Sequence, residues 1–505
     1  MSVVLSEHLP LLASAPDGIQ KLRGLILELA VRGKLVPQEP DRDQSTWKRG
    51  LFSEFFSLEY GDNLPAPKRT GTGEYPVYGS NGVVGTHNEC RVLAPCIVVG
   101  RKGSAGALNL CREPGCWVTD VAYYCIPPNG VDLDFAFVLL RTLGLDDLGK
   151  GIKPGLSRSE AYSLSVEIPP LAEQHRIVAK VDELMALCDR LEAEQTDAAT
   201  AHARIVETLL GTLTQSTDAA DLAANWQRLA GHFDVLFTTE ASIEALKQTV
   251  LQLAVMGKLV PQSPENEPAC DLVARILEER AFRDASKKVS KQVVPAEVLD
   301  GPFALPSSWK WVPIGAILDV TSSKRIFESD YVPDGIPFYR SKEIGELSKK
   351  GATSANFYIS EEKYREVQKA RDFPKEGDLL LTSVGSIGNT WIVDDRRFYF
   401  KDGNITQIIQ NDLVSMPYLQ RFIQGPVFMR QATDTVSGTA YNALTIIKIK
   451  QMLLPLPPLK EQYRIVTKID ELMGLCDQLR AYLTTARQRE ARLADALIES
   501  ALEAA

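Results

Sequence analysis

PPLAEQHRIVAKVDELMALCDRL occupies residues 169–191, PPLKEQYRIVTKIDELMGLCDQL occupies residues 457–479, and 17 of the 23 paired positions are identical. A shorter pair lies upstream in each half, LAVRGKLVPQ at 29–38 and LAVMGKLVPQ at 253–262. The chain is therefore written twice, in the order short helix, variable block, long helix. The blocks between these landmarks, 45–168 and 305–456, are unlike each other in sequence. A duplicated frame holds two different inserts.

The long segments read as helices. Ile465, Ile469, Leu472, Cys476, Leu479, Leu483, Ala486, Leu493 and Leu497 follow steps of three and four, an a/d seam that predicts coiled-coil-like packing. The first copy gives Ile177, Val181, Leu184, Cys188, Leu191, Ala198, Ile205 and Leu209, with Gln195 and His202 in core slots. The Pro-Pro pairs before each copy fit an extended approach to a helix start. A rod of about 42 residues runs roughly 60 Å at 1.5 Å per residue. One apolar stripe cannot bury itself, so the two copies are expected to lie antiparallel about a pseudo-twofold axis.

The blocks carry strand signals at 96–99, 378–382, 390–393 and 405–409, bounded by Gly, Asn and Asp turns, with helices near 135–143 and 417–430. The fold class is α+β: two globular α+β domains separated by a pair of long antiparallel coiled-coil-like helices. The expected divisions are an N-terminal segment 1–44, first domain 45–168, first long helix 169–213, linker with the second short helix 214–304, second domain 305–456 and second long helix 457–505.

The 505 residues are 45% hydrophobic and 24% charged, an ordinary globular profile. No apolar run reaches the roughly 18 residues of a membrane span, and residues 1–10 do not read as a secretory signal. A net charge of −9 argues against a protein that coats nucleic acid by bulk positive charge. The eight cysteines include no CxxC pair and read as reduced cytoplasmic thiols.

Catalytic signatures are missing. The Pro-Pro pairs follow Ile or Leu, so no Asn/Asp-Pro-Pro-aromatic turn of an amino-methyltransferase occurs, and there is no GxxxxGK[ST] phosphate loop. The lone GTG at 71–73 reads as a turn. Cys90, Cys96, Cys111 and Cys116 have gaps of five, fourteen and four residues, only loosely like structural zinc spacing, and no metal is assigned. His175 faces Tyr463 in the repeat, so a base is not required there in both halves, and Asp182, Glu183, Asp470 and Glu471 read as solvated carboxylates. No catalytic residue and no cofactor is expected.

The repeated PPLxEQxRIV and DELMxLCD phrases, with GKLVPQ, resemble the conserved regions of specificity (S) subunits of type I restriction-modification enzymes. The likeness extends to YGSNG (78–82), VGRKGS (99–104) and GLSR (155–158) in the first block. In the second it extends to IPFYR (336–340), LTSVGSIG (381–388) and SGTAYN (437–442). The resemblance implies a subunit that reads double-stranded DNA and performs no chemistry. Each block would be a target recognition domain for one half of a split, asymmetric sequence. The paired helices would set the spacing and dock two methyltransferase (modification) subunits, with restriction (motor-nuclease) subunits completing the assembly. The alternative is a scaffold carrying two ligand-binding domains on a helical rod, without DNA contact.

Base edges are met by Arg, Lys, Asn, Gln, Ser or Thr, and phosphates by cations or free N–H groups of Gly-rich loops. The candidate DNA-binding residues in the first block are Lys68, Arg69, Ser80, Asn81, Arg101, Lys102, Ser104, Lys153 and Arg158. In the second they are Lys324, Arg325, Arg340, Ser341, Lys342, Ser383, Ser386, Lys401, Tyr441 and Asn442. Residues 45–168 carry 12 Lys and Arg against 13 Asp and Glu, and 305–455 carry 19 against 17. Neither block is strongly basic, so the isolated chain is expected to bind DNA weakly and salt-sensitively.

Overall fold

The computed structural model describes residues 11–37, 47–93, 95–149, 155–285, 300–369, 373–434 and 443–503. The chain forms two compact units, Met1–Thr200 with Thr484–Ala505, and Ala201–Leu483.

In the first unit an antiparallel four-stranded sheet runs in the order Glu59–Tyr60, Ala122–Cys125, Cys96–Gly100, Leu108–Cys111. A second sheet pairs Tyr75–Gly79 antiparallel with Gly82–His87 and parallel with Trp117–Val118. The ribbon Lys48–Leu51 with Ser165–Ile168 closes the domain just before the long helix.

The second unit repeats this plan. Its first sheet runs Val320–Thr321, Ile405–Ile408, Leu379–Thr382, Thr390–Ile392. Its second sheet again contains one parallel pair, Ile336–Tyr339 with Tyr399–Phe400, and Lys310–Pro313 with Leu453–Leu456 forms the closing ribbon. Blocks unlike in sequence thus share one topology. Buried strands ask only for apolar residues of suitable volume, which many sequences supply.

Leu171–Gln215 and Leu459–Glu503 are the two long helices, 45 residues each. Both units have a core that contains the start of one and the end of the other, as the antiparallel arrangement requires. In the first unit Ile177, Val181, Leu184 and Cys188 share a core with Ala501. In the second Ile465, Ile469 and Cys476 share one with Val206, Leu210 and Leu213.

The stripe itself departs from a heptad. Ile205 is 52% exposed and Leu493 49%, and Ala198 and Ala486 are also exposed. Their neighbours Val206 and Ala494 are buried, and Leu213 and Ala501 close the two stripes. Within each unit the buried positions keep steps of three and four, but between Cys188 and Val206, and between Cys476 and Ala494, they leave the heptad by one residue. Most of the cover also comes from within each half. The short helix Gly18–Val31 and the domain helix Leu133–Arg141 join the first core, and Glu240–Val255 and Met416–Gln424 join the second.

Each short helix ends in GKLVPQ, whose glycine takes the left-handed conformation, φ 67° at Gly33 and 71° at Gly257. The next N–H reaches back five residues, Lys34 to the Leu29 carbonyl and Lys258 to that of Leu253, both at 2.9 Å. This is a Schellman stop that only glycine adopts without strain. The short helix is also clamped to its long one. Arg23 lies 2.6 Å from Asp189 and 2.8 Å from Glu192, and at the matching repeat positions Lys247 meets Asp477.

The helix expected near 417–430 is two, Met416–Gln424 and Pro426–Asp434, divided by Gly425. The charged stretch after 268 is helical over Ala269–Ala285. Among the described residues no helix is long and apolar enough to cross a membrane.

Candidate nucleic-acid interface

Strand Cys96–Gly100 turns into Leu108–Cys111 through a glycine-rich loop. Gly100 N–H donates to Ala107 O at 2.7 Å, and Gly106 N–H donates to Gly100 O at 2.8 Å. The turn needs left-handed residues at Gly103 (φ 84°) and Gly106 (φ 76°). Leu156 N–H donates to Arg101 O at 2.9 Å and fixes the loop's outer edge.

The second domain builds the same loop. Thr382 N–H donates to Asn389 O at 2.9 Å, Gly388 N–H to Thr382 O at 3.2 Å, and Leu444 N–H to Ser383 O at 2.8 Å. Gly385 and Gly388 take φ 79° and 97°. Arg101 and Ser383 therefore occupy one backbone position in two domains, and so do Ser104 and Ser386.

The side chains on the two loops differ. In the first domain the Arg101 guanidinium lies 4.8 Å from the Tyr60 ring centroid and that of Arg158 lies 4.3 Å from it. Arg101 Nη1 also donates to Asp120 O at 2.9 Å, and Arg158 Nη1 to Leu58 O at 3.1 Å. Each guanidinium is held by one carbonyl and by ring contact, Arg101 also standing 5.8 Å from the Tyr123 ring, which leaves most of its five donors to meet a ligand. Tyr60, 49% exposed, was not among the sequence candidates. Ser80 joins this group, since its carbonyl would stand 2.4 Å from a Cβ placed on Gly100. Lys102 and Asn81 are exposed and Ser104 is half-buried.

Lys68 and Arg69 sit at the end of the short 3-10 turn Ala66–Lys68, beside the neighbouring hairpin. Lys68 is exposed, while Arg69 is spent on backbone, Nη2 donating to Leu64 O and Nη1 to Val84 O, both at 3.3 Å. Lys153, Tyr441 and Asn442 lie outside the described residues.

In the second domain Ser383 is 2% exposed and its hydroxyl pairs with that of Thr406 at 2.6 Å, so it braces the loop and does not face solvent. Ser386 is exposed at the loop tip. The other candidates collect along Tyr399–Phe400. Lys401 N–H donates to Tyr339 O, and Lys324 N–H donates to the Tyr399 hydroxyl. Arg340 lies 4.1 Å from the Phe357 ring and Arg325 lies 5.5 Å from that of Phe327. Ser341 Oγ is buried without a hydrogen-bond partner, and Lys342 is exposed. The Lys324 amine is paired with Glu366 at 2.7 Å, which pulls that carboxyl down to about 2.

The sequence reading missed the rings. Tyr60 and Phe357 lie far along the chain from Arg101 and Arg340, and strand pairing brings cation and ring together, whereas Phe327 stands only two residues after Arg325.

Residues 44–201 and 306–484 match the family described as type I restriction modification DNA specificity domain. The chain is 28% identical to the type I restriction enzyme EcoAI specificity subunit of Escherichia coli, over 96% of this chain and 94% of that protein. It is 30% identical to the EcoEI specificity subunit of Escherichia coli over the same shares. Among solved structures, a chain from work on complex assembly and conformational transition of the type I R-M system superposes with a TM-score of 0.52 at 16% identity. That match covers 92% of this chain and 99% of the other.

Proposed function

The chain belongs to the type I restriction-modification DNA specificity family, and on that premise we propose that each unit's recognition domain reads one half of a split, asymmetric DNA sequence. The observation that carries this reading is the loop built twice on one backbone with different side chains. Where Arg101 stands over Tyr60 in one domain, Ser383 is tucked against Thr406 in the other. Equal scaffolds with unequal donors suit two unequal half-sites.

In the first domain Arg101, Lys102, Arg158, Ser80, Asn81 and Ser104 contact DNA, with Lys68 beside them. In the second, Arg325, Arg340, Lys342, Lys401 and Ser386 do so. Arginines pre-stacked on rings lose little freedom on meeting a guanine edge. The chain performs no chemistry itself. It docks two methyltransferase subunits and, through the assembly, restriction subunits, and it acts in the cytoplasm. Near-neutral domains leave much of the phosphate clamp to those partners. The ligand-binding scaffold reading is not favoured by the family match.

A domain exchange tests this. Residues 45–168 are replaced by the equivalent block of a relative, the chain is assembled with its methyltransferase subunits, and the methylated positions in DNA are mapped. One half of the recognised sequence should change while the other half and the spacing persist. A change in both halves would overturn the reading.

A further inference from the structure

Four of the eight cysteines fall between positions 90 and 116, and the fold draws three of them to one point. Cys96 and Cys111 face each other across antiparallel strands, and Cys116 follows in the bridge to Val92. Their Sγ atoms all lie within 4.8 Å of one another, and all three residues are fully buried.

The spacing of the sulfurs is informative. The Cys96 and Cys116 Sγ atoms are 3.8 Å apart, too far for a disulfide bond of about 2.05 Å. Zinc–sulfur bonds of about 2.3 Å in a tetrahedron put neighbouring sulfurs about 3.8 Å apart.

The sister domain supplies a second argument. By strand register Cys96 matches Asp378 and Cys111 matches Val393. Asp378, 1% exposed, ties that corner together by accepting from Lys375 N–H, Gln410 N–H and Gln407 Nε2 at 2.9, 2.9 and 2.7 Å. Thiols are weak hydrogen-bonding groups, so three of them cannot replace that brace unaided. A metal ion can.

A fourth donor stands at the edge. Cys90 is half-buried, and its Sγ would be 2.9 Å from a Cβ placed on Gly115, the residue before Cys116; it stands outside the trio whose sulfurs lie within 4.8 Å of one another and must turn inward to complete a tetrahedron. Its partial exposure gives an ion a way in.

We propose that Cys96, Cys111 and Cys116, completed by Cys90, form a structural thiolate site for zinc in the first recognition domain. The ion replaces the thiol protons, which pass to solvent, and no electron is transferred. It would join the loop before Cys96 to the turn before Cys116, and so stiffen the strand that leads into the Arg101 loop.

The full chain, purified under reducing conditions without chelator, is analysed for metal, then stripped and titrated with Co²⁺. About one zinc per chain is expected, with an intense sulfur-to-cobalt charge-transfer band and tetrahedral d–d bands on titration. Cys90→Ser should keep the domain folded and weaken zinc at least about 10-fold; undiminished affinity would remove Cys90 from the site. Cys111→Ser should abolish binding. Because that variant risks misfolding, the wild-type chain alone is decisive: less than about 0.1 zinc per chain and no charge-transfer band would overturn the site. So would a peptide map of chain purified without reductant that finds Cys96, Cys111 or Cys116 in a disulfide.

Discussion

Gln174 Oε1 accepts the backbone N–H of Asp132 at 2.7 Å, while its Nε2 donates to Pro169 O at 2.8 Å and Gly130 O at 3.0 Å. Asp132 caps the domain helix Leu133–Arg141. The repeat does the same again: Gln462 Oε1 accepts from Ser415 N–H at 2.8 Å, and Ser415 caps Met416–Gln424. One glutamine of the PPLxEQ phrase thus fastens each long helix to its recognition domain. Both glutamines are fully buried.

Removing either should be costly. Gln462→Ala leaves the buried Ser415 N–H and Pro457 carbonyl unsatisfied, at about 1–3 kcal/mol. Chemical denaturation followed by Trp fluorescence should show that loss. A change under about 0.5 kcal/mol would mean the fastening is idle.

The register of the buried stripe has its own check. Val206 is 3% exposed and Ile205 is 52% exposed. Val206→Ala should cost about 1.5–3 kcal/mol, and Ile205→Ala less than about 0.5 kcal/mol. A heptad seam reverses that order.

Burial pushes the Glu461 carboxyl above its ordinary 4.5, against the pull of Trp309 and Gln262. The folded chain therefore holds this proton to higher pH than the unfolded chain does. The contribution to stability is complete below the unfolded value and declines as pH rises through the folded one. Glu461→Gln should flatten the stability profile across that window, measured as Tm against pH. An unchanged slope would exclude Glu461 as its source.

On DNA, Arg101→Ala in the assembled complex should cost about 1–3 kcal/mol of discrimination, roughly 5- to 150-fold, at bases of one half-site. Lys342→Ala should weaken binding alike on all sequences and lower the salt slope by about 1. Competition binding with single-base variants at several salt concentrations separates the two effects. Uniform loss for Arg101→Ala would place it on phosphate.

The duplicated frame and the two long helices were readable from the chain alone, because repeats and periodicity are relations between neighbours in sequence. Even there, periodicity failed past the middle of each helix. Ile205 and Leu493 satisfy a heptad, but the packing within each unit buries their neighbours Val206 and Ala494. Tertiary structure alone decided that two unlike blocks share one topology, that Arg101 and Arg158 meet at Tyr60, and that Ser383 faces inward. It alone gathered three thiols whose spacing in sequence is only loosely like that of a zinc site. Each of these depends on which strand lies beside which, and pairing set by the burial of whole sheets leaves little trace in any short stretch of sequence.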